Sequence, residues 1–139
     1  MTTDIDQAAI HPARPAARRW WSLITALLLA ALFIQAIFAG AMMSGLGWAR
    51  AAHAMSALVL IIWTITAGLA ALVTLRRIAG GSKLGLTLLA LGVAVLLQTA
   101  LGRMSAHGAG LLWVHVPLGV ALVGLAAQAA AGARRLGGD

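Results

Sequence analysis

The sequence predicts an all-α fold: a four-helix transmembrane bundle built from two repeated helix hairpins. Three observations predict it. The chain is far too apolar for a water-soluble domain, it carries four apolar stretches of roughly bilayer length, and its two halves repeat a spaced set of residues ending in a histidine. Of 139 residues, 62% are apolar and only 9% charged, against about half and a quarter in a typical soluble domain. A short chain leaves much of its surface outside however it folds, so lipid must be the solvent for most of this one. Period-two alternation is absent, which removes membrane barrel strands as a rival.

The elements follow in order. Residues 1–19 contain Pro12, Pro15, Arg14, Arg18 and Arg19 and read as a disordered cytoplasmic tail. Residues 20–135 form the transmembrane domain. Its apolar stretches run from Trp20 to about Met43, Trp48 to Leu75, Leu84 to Leu101, and Leu111 to Ala133. Each is close to the roughly 20 residues that span a bilayer core, the third being the shortest. Ser44 to Gly47, Gly80 to Ser82, and Ser105 to Gly110 are turn-forming breaks. Such short connections make consecutive helices antiparallel. The first stretch has an Arg-rich start and the small residues Ala39-Gly40-Ala41, as a signal peptide does. Its apolar run exceeds the usual 7–15 residues, so an uncleaved helix is expected.

Ten Lys and Arg face three Asp and Glu, giving a net charge of +7. The cations flank the apolar stretches, as topology signals do, so no nucleic-acid partner is expected. With the N-terminus inside, eight cations fall on the cytoplasmic side: Arg14, Arg18, Arg19, Arg76, Arg77, Lys83, Arg134 and Arg135. Only two, Arg50 and Arg103, fall outside. That asymmetry predicts a multi-pass protein of the cell (inner) membrane with both termini cytoplasmic. Trp20 and Trp21 at one end, with Trp48 and Trp113 near the other, fit interfacial aromatic belts. There is no cysteine, which excludes disulfides, thiolate metal sites and cysteine nucleophiles.

The repeat is a helix with a glutamine, a short outer loop, and a helix with a histidine near its outer end. Gly40-x-Met42 lies 13 residues before His53, and Gly102-x-Met104 lies 13 residues before His115, an offset of 62 between copies. Gln35 and Gln98 precede those glycines at an offset of 63, one residue of slip. Parallel repeats of this kind are common in membrane folds.

His53 and His115 are the most informative residues, because ionisable groups inside a membrane are costly and usually functional. Their helices run in the same direction and stand diagonally in an up-down bundle. The two side chains therefore face one another at matching depth across the axis. A planar haem fits between them with one imidazole on each face of the iron. Ala57 and Gly119, each four residues beyond a histidine, share its helix face and are small enough for a flat macrocycle to lie against. Pro117 suits the first turn of a helix, so the fourth helix is expected to start close to His115. Arg50 and Arg103 are placed to meet outward-pointing carboxylates such as haem propionates. Gln35 and Gln98 must find partners across helices, either a haem edge or a histidine. His107 in an outer loop and His11 in the tail are expected to be solvent-exposed. Met42, Met43 and Met104 are read as packing residues.

Two helix hairpins of this design, with Gln98-Thr99-Ala100-Leu101-Gly102 followed by His115-x-x-Leu118 and a looser first copy from Gln35 to His53, resemble one four-helix half of the heme A synthase family. Small four-helix haem-binding membrane proteins look similar. The resemblance spans residues 23–133. It implies that His53 and His115 are haem ligands on the second and fourth helices. It does not carry the family's oxidation chemistry over, because that family is thought to use an intramembrane glutamate and no helix here holds an acid.

The reading is a membrane b-type cytochrome module with one haem b per chain near the outer leaflet. It would serve electron transfer or act as a subunit of a redox complex. Its partners would be the lipid bilayer and a redox partner subunit or a second copy in a homodimer. No conversion of an organic substrate is expected, since the only side chains within the helices that titrate near neutral pH are His53 and His115, the two expected ligands, and acid–base chemistry needs a free one. The alternative is a haem-free structural or assembly protein whose histidines make interhelical hydrogen bonds. A small transporter or channel is disfavoured, because no run of cavity-lining charge is present.

Overall fold

The computed structural model describes residues 15–138. Four helices, α1 (Pro15–Met43), α2 (Gly47–Thr74), α3 (Gly81–Ala106) and α4 (Leu112–Arg134), account for most of them. They are 29, 28, 26 and 23 residues long, or about 35–44 Å at 1.5 Å per residue. All four are long and apolar enough to cross a bilayer. The protein is an all-α, multi-pass membrane bundle, and no strand occurs among the described residues.

Each helix packs on its sequence neighbours, and α1 packs on α4 to close the ring. The diagonal pairs α1–α3 and α2–α4 make no close backbone approach, so the histidine-bearing helices stand opposite one another. One end of the bundle gathers the start of α1, the α2–α3 connection and the end of α4, and with them most of the cations. The other, the histidine end, carries the α1–α2 and α3–α4 loops.

Helix limits depart from the apolar stretches in instructive ways. α1 begins at Pro15, so Pro15 to Arg19 are helical rather than tail. Proline is pre-organised for a first helical position, and Arg18 and Arg19 are exposed there. The tail up to residue 14, including His11, lies outside the described residues. α3 continues through Arg103 to Ala106, removing the apparent shortness of that span. α4 starts at Leu112, three residues before His115. Pro117 therefore lies inside the helix, and the Trp113 carbonyl lacks its usual donor four residues on. Trp20, Trp48 and Trp113 are exposed near the helix ends, as belts require, but Trp21 turns inward and joins the core.

The core is concentrated toward the cation-rich end. Leu28, Leu60, Leu88, Leu91 and Ala126 are fully or almost fully buried. Buried Thr25 and Thr64 return their hydroxyl protons to the Trp21 and Leu60 carbonyls, at 2.8 and 2.7 Å, so neither carries an unmet donor into the interior. Helices α2 and α3 approach closely because glycines line the seam. A Cβ at Gly68 would stand 2.9 Å from the Leu89 amide nitrogen, and one at Gly85 3.0 Å from that of Leu72. Small residues permit such approach in lipid, where packing rather than water exclusion drives association. At the histidine end the burial pattern changes. Among the described residues, none is buried beyond Leu32 on α1, beyond Val95 on α3 or before Leu122 on α4, and only Ala49 is buried on α2 before Ala57.

Candidate functional site

Both histidines lie in the open half of the bundle, each half-buried and each tied to the preceding helix of its own hairpin. The Gln35 side-chain amide donates to the His53 carbonyl at 2.9 Å, and the His53 ring nitrogen Nδ1 lies 3.3 Å from the Gln35 carbonyl. The second hairpin repeats both bonds. Gln98 donates to the His115 carbonyl at 2.6 Å, and His115 Nδ1 lies 3.0 Å from the Gln98 carbonyl. Each glutamine and histidine thus form a reciprocal pair: side chain to backbone in one direction, side chain to backbone in the other.

This pairing fixes the chemistry of the rings. A carbonyl oxygen can only accept, so Nδ1 carries the proton in both histidines. A neutral imidazole then keeps its lone pair on Nε2, which makes none of the described hydrogen bonds. Nδ1–H donation to a backbone carbonyl is the arrangement that orients a histidine for metal binding through Nε2. The two rings sit at opposite seams, α1–α2 and α3–α4.

The copies also differ. The Gln35 side-chain oxygen accepts the Ser56 hydroxyl proton, and Ser56 is placed for this one turn beyond His53. At the equivalent position the second copy has Leu118, and the Gln98 side-chain oxygen is buried without a partner. Gly102 abuts the histidine ring: a Cβ there would stand 2.8 Å from His115 Cε1. Gly40, its counterpart in the repeat, has open space around it. Only the second hairpin uses its glycine to seat a ring.

The remaining expected residues are placed as follows. Arg50 is exposed one turn outward from His53, and Arg103 is exposed next to Gly102, at the level of the His115 ring. Ala57 is buried one turn below His53. Gly119 faces the Gln98 amide, whose nitrogen would lie 3.1 Å from a Cβ there, so its smallness accommodates the glutamine. The glutamines hold histidine backbones, and Gln35 also holds Ser56. His107 is exposed at the end of α3, and Met43 and Met104 are exposed near the loops. Near the α1–α2 loop, Phe38 and Trp48 meet edge to face at 6.0 Å and brace the first hairpin. Ser56 and the ring contact of Gly102 escaped the sequence reading. The signal for Ser56 was an isolated hydroxyl three residues after an intramembrane histidine, on the same face.

No cluster of three or more His, Cys, Asp or Glu side chains occurs among the described residues, so a metal centre built from that many protein ligands is not formed by them. A group held by two imidazoles makes a smaller demand, and the chemistry of these residues is compatible with it: two rings, each with Nδ1 engaged, and a glycine that seats one of them. No family model matches the chain, and no curated protein or solved structure does either.

Proposed function

We propose that this chain is a membrane b-type cytochrome module that holds one haem b between His53 and His115 for electron transfer, alone, as a homodimer, or with a redox partner subunit. The observation that carries the reading is the duplicated Gln–His pairing, which leaves Nε2 free on both rings at opposite seams of the bundle. Haem, when bound, supplies a one-electron couple. The protein's part is to hold it. Gln35 and Gln98 fix the ring tautomers through their backbone carbonyls, and their side chains pin the helix segments that carry the rings. Gly102 lets the His115 ring lie against α3. Arg50 and Arg103, exposed toward the histidine end, are the cations positioned to meet propionates, and Arg does so through a two-point fork. With the acids confined to Asp4, Asp6 and Asp139, the helices supply no carboxylate for proton transfer beside the rings. This favours electron transfer over the oxidation performed by the heme A synthase family, one half of which the chain resembles.

The cation-rich end is read as cytoplasmic and the membrane as the cell's inner membrane, on the eight-to-two distribution of Lys and Arg. Reporter fusions after Arg77 and within Ser44 to Gly47 check this: the first should read cytoplasmic and the second external. A second reading is favoured by the same four hydrogen bonds. Interhelical bonds from histidine and glutamine hold membrane helices together without any cofactor, which would make the chain a structural or assembly protein. Absorption spectroscopy of the detergent-purified chain separates the two. A Soret band with sharp visible bands on reduction is expected; a protein that stays colourless after haem is added belongs to the second reading.

A further inference from the structure

The turn that follows α4 is folded into the bundle. Leu136 is 1% exposed and belongs to the apolar core, with its side chain 3.8 Å from where a Cβ of Gly80 would stand. The Gly137 amide donates to the Ala79 carbonyl at 3.2 Å. The α2–α3 connection it meets is itself tight. The Ile78 amide donates to Leu75 and the Gly81 amide to Ile78, each at 2.9 Å. Gly80 takes a φ of +78°, and a Cβ at Gly81 would collide with the Leu75 carbonyl oxygen. Two connections with little conformational freedom are therefore locked together at the cation-rich end.

Arg76–Arg77 stand in the α2–α3 connection and Arg134–Arg135 where α4 passes into its following turn, and all four residues are exposed. No Asp or Glu occurs among the described residues to neutralise them. Guanidinium forks match phosphate oxygens, and basic pockets between transmembrane helices bind phosphorylated lipid headgroups. A role in topology alone needs positive charge at this end but no fixed spacing between the pairs. Burial of Leu136 and the Gly137–Ala79 bond add that spacing. We propose that the α2–α3 connection and the turn after α4 form one site for an anionic lipid whose headgroup carries two phosphates, one arginine pair to each. A membrane lipid suits it better than a soluble anion, because exposed Leu69 and Val73 on α2 run from the arginines toward the bilayer centre and offer acyl chains a surface.

The test uses the full chain in detergent, titrated with diphosphatidylglycerol, with phosphatidylglycerol at equal total phosphate, with phosphatidylcholine, and with inorganic phosphate or pyrophosphate. Bound lipid is counted by native mass spectrometry and thermal unfolding is followed in parallel. The two-phosphate lipid should bind at least about tenfold more tightly than the one-phosphate lipid. Each arginine should contribute about fivefold, the usual strength of a basic residue at an anionic surface, so Arg134→Gln with Arg135→Gln should cost roughly 30-fold. Arg134→Lys with Arg135→Lys keeps the charge and the topology but loses the fork, and should reduce the preference for two phosphates. Leu136→Ala keeps every charge and removes the buried anchor; it should abolish that preference while leaving phosphatidylglycerol binding unchanged. Equal binding of the two lipids per phosphate overturns the proposal. So does displacement of lipid by pyrophosphate or by an acidic peptide, or full retention of the preference in Leu136→Ala.

Discussion

Gly102 and Gly40 occupy equivalent places in the sequence repeat, yet alanine should act oppositely at the two. At Gly102 the new methyl would stand 2.8 Å from His115 Cε1, and ordinary contact begins at 3.4 Å. The ring must therefore retreat by about 0.6 Å, away from α3 and against the Nδ1 bond that holds it 3.0 Å from the Gln98 carbonyl. Overpacking of this kind costs about 1–3 kcal/mol, and a weakened hydrogen bond adds about 0.5–1.5. The better helix preference of alanine returns about 1 kcal/mol, leaving Gly102→Ala destabilised by about 0.5–3.5 kcal/mol. At Gly40 nothing lies within 4 Å, so only the helix preference acts and the variant should gain up to about 1 kcal/mol. The helix preference is common to both, so the two variants should differ by about 1.5–4.5 kcal/mol, at least about tenfold in the unfolding equilibrium. If His115 holds a haem as proposed, the displaced ring should weaken that haem's low-spin signal in Gly102→Ala and leave it intact in Gly40→Ala. Unfolding in mixed detergent, read by circular dichroism and by visible absorption, measures both effects. Equal stability and identical spectra for the two variants would refute the placement of the His115 ring against α3.

The asymmetry between the hairpins has a second consequence. Gln35→Leu removes two interhelical bonds and should cost about 1 kcal/mol at the average of about 0.6 per bond in a membrane. Gln98→Leu removes one bond together with a buried oxygen that has no partner, worth about 1–3 kcal/mol, and should be close to neutral in the same unfolding assay. Gly85→Val should cost about 2–3 kcal/mol, because the new Cβ meets the Leu72 amide nitrogen at 3.0 Å and backbone cannot step aside; wild-type stability would mean that the α2–α3 seam is looser than described. For the proposed haem, Arg50→Gln and Arg103→Gln should each lower the reduction potential in a redox titration, since a nearby cation favours the added electron; an unchanged potential in the double variant would assign both to the lipid interface.

The bundle was legible in the sequence because lipid imposes a simple rule, long apolar helices with every backbone bond internal, and composition alone reveals it. Helix ends were less legible. Hydropathy reports what lipid tolerates, whereas a helix stops where its hydrogen bonds stop, so Pro15 to Arg19 and Arg103 to Ala106 extend helices into polar sequence. The diagonal placement of α2 and α4 followed from short loops. The pairing of Gln35 with His53 and of Gln98 with His115 was only half legible: the residue types stood out, but which atoms meet depends on the register of each seam. Gly40 and Gly102 mark the limit of repeat reasoning. Identical residues at one offset have different surroundings, because a one-residue slip between glutamine and glycine lets the two hairpins pack differently. Trp20 and Trp21 make the same point, since adjacent positions on a helix face about 100° apart and only one of the two reaches the belt.

Whether His53 and His115 together hold one haem, as proposed, can be read from electron paramagnetic resonance of the oxidised, haem-loaded chain. The expected result is a low-spin ferric signal at one haem per chain, lost on His53→Ala and lost again, independently, on His115→Ala, with a high-spin signal or free haem in its place. A low-spin signal that survives either substitution would contradict it.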